Sequence, residues 1–262
     1  MRPRLFAGLI MAAGLAGPAW AADDPLARAR QLYNDRRFEL AVQAAEEART
    51  ADRSDSVDLI VARAALERFR ESASPEDLTM ARERLRRLNP ERLNAGERTE
   101  YLVGLGEHLF LEGTSGAAAG VFDSVLASRY PLSDAARERI LDWWATAIDR
   151  DARPRAELDR RPIYQRLSER MRDELALNPN SAVAPYWLAA AAGGLGDYQA
   201  AWDAAMAAWV RSPLNADHGA TLRQELDQLV TRVLVPLRAR ASAQPPESVL
   251  QEWDAFKVKW AR

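Results

Sequence analysis

The sequence predicts an all-α chain built of paired helices. Three observations predict it. Ala, Leu, Arg and Glu dominate the chain, and these residues form helices readily. Apolar residues recur three and four apart, as in Leu222, Leu226, Leu229, Val230, Val233, Leu234 and Leu237. No run shows the period-two alternation rich in Val, Ile and Thr that marks a strand. Of 262 residues, 48% are hydrophobic and 28% charged, a balance that favours a folded chain over a disordered one.

The elements follow in order. Met1–Arg4 is a short basic start, and Leu5–Gly17 is apolar or small throughout. Ala19 and Ala21 then supply an A-x-A cleavage site. This three-part pattern predicts a secretory signal peptide over residues 1–21, cleaved after Ala21, and a mature protein that is periplasmic or secreted. The apolar run is shorter than the ~20 residues that cross a bilayer. No later stretch is long and apolar enough, so no membrane span is expected after cleavage. A formal charge of -2 gives no reason to expect a nucleic-acid partner, whose affinity rests on neutralising phosphates.

Residues 22–215 read as helix pairs. Three segments, 22–55, 99–132 and 182–215, align without gaps. In each, a small residue on a first helix precedes another by twelve positions: Ala29 and Ala41, Gly106 and Ala118, Ala189 and Ala201. Small residues allow two helices to approach closely. Residues 56–98 and 133–181 lie between these segments and read as irregular pairs, with links around Glu71–Ser74 and Arg150–Pro162. Ser74-Pro75-Glu76-Asp77 is a helix start, with Pro in the first turn and acids at the positive end of the dipole. Asn89-Pro90, Asn178-Pro179 and Ser212-Pro213 are helix stops.

These segments resemble the tetratricopeptide repeat family, a 34-residue helix–turn–helix unit. Leu102, Leu105, Gly106, Leu109, Ala118 and Phe122 match its pattern in the second segment, and Leu188, Ala201 and Pro213 in the third. The departures are Pro185 at the first large position, Ala192 and Ala205 in place of both aromatics, and Arg53 where Pro belongs. The resemblance implies a right-handed α-solenoid of about five helix pairs. It also implies a concave face lined by the first helix of each pair. On that basis Arg30, Tyr33, Val103, Glu107, Phe110, Trp144 and Tyr186 are the expected partner-contacting residues.

Residues 216–262 form a different tail. A long amphipathic helix near Gly219–Arg240 carries Pro236, which should bend it. Gln244-Pro245-Pro246 breaks the chain, and a last helix bears Leu250, Trp253, Phe256 and Trp260 on one stripe. The tail is expected to cap the open apolar end of the array, with a docking helix as the alternative.

Chemistry is poorly supported. The absence of Cys removes disulfides, thiol nucleophiles and thiolate sites, and two histidines, His108 and His218, lie in unrelated units. No G-x-S-x-G or S-x-x-K is present. Gly104-Leu105-Gly106 has no preceding strand and no following Lys-Ser/Thr, so it reads as a helix contact rather than a phosphate loop. The Arg-rich stretches at residues 82–87 and 149–174 are balanced by acids and read as solvated faces, with Glu83 and Arg87 as an i,i+4 pair. No catalytic residue, metal or cofactor is therefore expected. The expected function is a non-enzymatic adaptor for an envelope protein or peptide segment. The alternatives are a glycan or cell-wall enzyme or accessory using the Trp-rich carboxyl half, and a structural module that self-associates.

Overall fold

The computed structural model describes residues 24–214 and 219–260. The predicted signal peptide, its cleavage site and His218 lie outside the described residues. The described residues are helical, with no strand among them. The chain divides into two compact units between Ile140 and Leu141.

The first unit contains helices α1 (Pro25–Asn34), α2 (Phe38–Glu47), α3 (Ser54–Ser72), α4 (Pro75–Arg87), α5 (Ala95–Leu111) and α6 (Ser115–Leu126). It also contains the start of α7 (Asp134–Ala152), within which the division falls. Local chemistry sets the helix starts. Asp24 accepts from the Leu26 amide ahead of Pro25, and Asn94 with Glu97 closes a capping box on α5. Successive helices from α1 to α6 pack against one another, and α3 also touches both α1 and α5. The core between α1, α2 and α3 is made of Ala29, Leu32, Ala41, Ala45, Val57 and Val61.

The three aligned segments become α1–α2, α5–α6 and, in the second unit, α9 (Val183–Leu195) with α10 (Tyr198–Arg211). Their turns share one geometry. Arg36, Gly113 and Gly196 each have positive φ, at 60°, 86° and 82°. Each stands seven residues after the aligned small residue of its first helix. The small residues do what their size predicts. A Cβ on Gly106 would stand 2.6 Å from the Phe122 ring of α6.

The second unit continues with α8 (Glu157–Leu177), α9 and α10, followed by α11 (Ala220–Leu229), α12 (Val235–Ser242) and α13 (Pro246–Lys259). The tail helices pack onto α10. Trp253 of α13 lies 5.8 Å from Trp202 and 5.6 Å from Trp209, ring centre to ring centre.

Two local expectations change, at Pro162 and Arg87. Pro162 is not in a link but inside α8, close enough to its start that few backbone bonds are lost. Pro236 stands in the first turn of α12, directly after a π turn at Val230–Leu234, where its missing amide costs least. Arg87 turns to Asp58 of α3 at 3.2 Å, joined there by Arg84 at 2.8 Å, because a buried carboxylate attracts a guanidinium more strongly than an exposed neighbour does.

The close approach at Gly106 gives a test. Gly106→Ala forces a methyl into the Phe122 ring and should destabilise the chain by about 1–3 kcal/mol in urea unfolding. Gly120→Ala, on a helical position with nothing within 4 Å, should instead stabilise by roughly 0.5–1 kcal/mol.

Candidate functional site

In the first unit a ladder of polar side chains runs along the helices that open each pair. At one end Arg30 of α1 pairs with Glu97 of α5, and Ser56 of α3 donates to the same carboxylate at 2.7 Å. Glu97 also accepts from the Asn94 amide at 3.1 Å, so one buried carboxylate joins three helices.

The next rung is Arg63 of α3, which is only 7% exposed. Its Nη2 donates to the Tyr33 hydroxyl of α1 at 3.1 Å, and its Nη1 to the Glu100 carbonyl of α5 at 3.3 Å. Gly104 makes room for it, since a Cβ there would meet Arg63 Cδ at 2.9 Å. Burial opposes the Arg63 charge, but Tyr33 and the carboxylates of Glu107, Glu100 and Glu67 hold it fully protonated. The same burial pushes the Tyr33 phenol well above its ordinary range.

The last rung holds Glu67 and Arg70 of α3, Glu107 of α5 and Arg139 of α7. Arg70 donates to Glu67 at 3.1 Å. Glu107 is 4% exposed, and neither of its carboxyl oxygens has a hydrogen-bond partner among the described residues; the same holds for Arg63 Nε. Burial raises the Glu107 carboxyl above the usual carboxylate range against the pull of Arg63, with Glu67 adding to the rise and Arg70 and Arg139 opposing it. Arg139 is half-buried and makes no ion pair among the described residues. Burial, and then Arg70, make its charge less favourable.

The structure thus brings Arg30, Tyr33 and Glu107 onto one ladder. Val103 lies on the same helix as Glu107 but is buried at 4%, and Phe110 is partly buried one turn beyond. Trp144 and Tyr186 belong to the second unit and are core residues there, at 1% and 7% exposure. Arg166 and Arg170 lie over the Trp144 ring at 5.8 and 5.7 Å, and Tyr186 meets Trp187 edge-on. Val103, Trp144 and Tyr186 are therefore packed in the core, and Glu107, at 4% exposure, is as closed to solvent as Val103. Sequence reasoning missed Arg63, Glu67, Arg70 and Arg139. Their one legible trace is the ionisable spacing Arg63, Glu67, Arg70 on α3, which keeps to a single helical stripe.

His108 is also buried and lies on another side of α5. Its Nε2 is 3.3 Å from Glu112, which is in turn 3.6 Å from Arg82, and burial lowers its pKa. No group of metal-ligating side chains is present among the described residues. No described helix is long and apolar enough to cross a membrane. No family model, no curated protein and no solved structure matches the chain.

The raised Glu107 carboxyl makes stability depend on pH with a defined sign. A carboxyl whose folded pKa exceeds its unfolded value contributes stability that is complete below the unfolded pKa and is lost as pH rises through the folded one. Glu107→Gln should therefore gain stability relative to wild type as pH rises from about 4 towards 8, measured as the difference in urea midpoints.

Proposed function

We propose that this chain is an exported, non-enzymatic scaffold of tetratricopeptide-like helix pairs that binds a polypeptide partner on the first-helix face of its first unit. One observation carries the reading. Side chains from α1, α3, α5 and α7 converge on that face, yet the Glu107 carboxyl and Arg63 Nε lack hydrogen-bond partners among the described residues. Buried polar groups are normally satisfied, and each exception calls for an explanation, of which a bound group is one. The turn geometry shared by Arg36, Gly113 and Gly196 supports the repeat assignment, and the packing of α11–α13 onto α10 supports a capping role for the tail. Export rests on the signal-like residues 1–21.

The glycan reading keeps little surface: Trp143, Trp144, Trp187, Trp202 and Trp253 are buried, which leaves the partly buried Trp209 and the exposed Trp260 as the rings that could stack on a sugar. Self-association keeps one supporting observation, the exposed Val258 and Trp260 at the end of α13. Sedimentation of the wild type and the Val258→Ser/Trp260→Ser variant distinguishes it, since only a self-associating chain changes mass.

The main reading is tested by tagging the full chain, cross-linking it lightly in cells and identifying captured proteins by mass spectrometry. Phe110→Ala should reduce capture of the dominant partner roughly tenfold, a loss of about 1.4 kcal/mol, while helicity is retained. Tyr186→Ala should instead cost about 3 kcal/mol of stability, as removal of a buried aromatic does. Equal capture by Phe110→Ala and wild type would count against the first-helix face.

A further inference from the structure

Three guanidiniums meet at Asp58 of α3. Arg49, just after α2, donates to its Oδ1 at 2.8 Å. Arg84 and Arg87 of α4 donate to the same oxygen at 2.8 and 3.2 Å. Glu46 of α2 is the second carboxylate of the group, 2.6 Å from Arg49 Nε and 2.8 Å from Arg84 Nη1. Hydrogen bonding from Arg49 holds the Glu46 carboxyl below its ordinary range. Burial opposes the Asp58 charge, but the hydrogen bonds from Arg49 and Arg84 keep its carboxyl low as well. Both acids are therefore ionised at neutral pH, and three positive charges stand against two negative ones. Asp55, one turn earlier on α3, does not redress the balance, since it accepts from the Asn89 amide at 2.8 Å and has Arg92 at 3.7 Å.

The cluster has a buried end and an open end. The Asp58 side chain is 8% exposed and that of Arg87 57%. Arg49 spends Nε and Nη2 on the two carboxylates, Arg84 spends Nη1 and Arg87 spends Nη2. The other guanidinium nitrogens of these three residues make no hydrogen bond among the described residues. On Arg49 and Arg84 they are open to water rather than buried without a partner. Glu46 and Asp58 thus hold three guanidiniums side by side with N–H groups to spare, and their ordering is complete before any ligand arrives.

Like charges held so close repel one another, and an anion at the open end relieves that repulsion. Its shape can be specified. A carboxylate has two oxygens in one plane, and a single guanidinium fork satisfies it. A phosphate group presents three acceptor oxygens, which donors can approach from different directions. Guanidiniums that reach in from the end of α2 and from two positions on α4 match the phosphate. We propose that Arg49, Arg84 and Arg87 form a binding site for a phosphate monoester, with Asp58 and Glu46 as the template that sets the three side chains. A monoester carries close to two negative charges at neutral pH, enough to take up the excess positive charge. A phosphorylated small molecule and the headgroup of phosphatidic acid present the same group. The site lies on α2, α3 and α4 and is independent of a polypeptide on the first-helix face.

The test uses the full chain, with glycerol 3-phosphate and acetate titrated calorimetrically at constant ionic strength and neutral pH. Glycerol 3-phosphate should bind saturably, with a dissociation constant of about 1 mM or below. Acetate should bind at least roughly tenfold more weakly, because it fills only one fork. Arg87→Gln should weaken the ester roughly tenfold, as loss of a charged donor does, with circular dichroism confirming that helix content is kept. Arg86→Gln makes the same charge change at the exposed neighbouring position and should bind as the wild type does. Should Arg87→Gln fail to fold, Arg87→Lys decides, since it keeps the charge but loses the fork and should bind the ester about threefold more weakly. Flotation with phosphatidylcholine vesicles, with and without phosphatidic acid, separates the two sources. Recruitment by phosphatidic acid that is lost in Arg87→Gln identifies a lipid headgroup, whereas ester binding without recruitment identifies a soluble ligand, and either supports the site. Four results overturn it: no saturation by the ester together with no recruitment, acetate binding as tightly as the ester, binding unchanged in Arg87→Gln and Arg87→Lys, or an equal loss in Arg86→Gln.

Discussion

The guanidinium of Arg63 holds the first unit to its present arrangement. It leaves α3, reaches the Tyr33 hydroxyl of α1 and the Glu100 carbonyl of α5, and is almost wholly removed from water. A buried cation must be compensated or it costs several kcal/mol. The groups that compensate it, Tyr33, Glu67, Glu100 and Glu107, fix which helices can lie beside α3 and at what height. Gly104 is part of the same constraint, because any larger residue on α5 would displace the Arg63 stem. The small residues at the hairpin crossings allow the close packing, and the ladder of charges sets its register.

The second unit handles buried polarity differently. Its indole N–H groups donate to carboxylates: Trp187 to Asp142 at 2.7 Å and Trp253 to Asp227 at 2.9 Å. Lys257 joins Asp227 at 2.7 Å, and Arg238 lies 4.2 Å over the Trp202 ring. Carboxylate, cation and ring thus share the compensation, with the long apolar bodies packed as core. Trp144 and Trp209 depart from this pattern, since their indole nitrogens have no hydrogen-bond partner among the described residues. Their rings instead lie close to arginines, Arg166 and Arg170 for Trp144 and Arg223 for Trp209. Both units thus keep buried polar atoms without hydrogen-bond partners among the described residues, ionic at Glu107 and Arg63 in the first and mostly indole in the second.

The hairpins were legible in the sequence because they depend on local rules. Small residues twelve apart have a direct steric cause, whereas the positive-φ position seven beyond the first of them shows only in the backbone, since Arg36 fills it in the first hairpin. Trp143 and Trp144 are neighbours on α7, point about 100° apart and are both buried, so that helix is covered on more than one side. The site was only partly legible. Arg30, Tyr33 and Glu107 follow from the face that the family resemblance assigns to first helices. Arg63, Glu67 and Arg139 do not, because a charged residue on a helix reads as solvated unless its neighbours in space are known. Trp144 and Tyr186 illustrate the converse, since a large aromatic on a first helix fits a groove or a core equally well until packing decides. The link expected around Arg150–Pro162 falls at residues 153–156, and Pro162 lies beyond it, inside α8. A proline near a helix start is tolerated, so it cannot by itself mark a boundary.

The account depends on Glu107 being a buried carboxyl whose state is set first by burial and then by Arg63 and the other charges of the ladder. The direct measurement is a carbon-13 NMR titration of the Glu107 side-chain carboxyl in the full chain, assigned by its loss in Glu107→Gln. The account predicts a midpoint above the ordinary glutamate value of about 4.3, and a further rise when Arg139→Gln removes the nearby positive charge. A midpoint at the ordinary value, unmoved by Arg139→Gln, would show a solvated carboxylate and contradict the account.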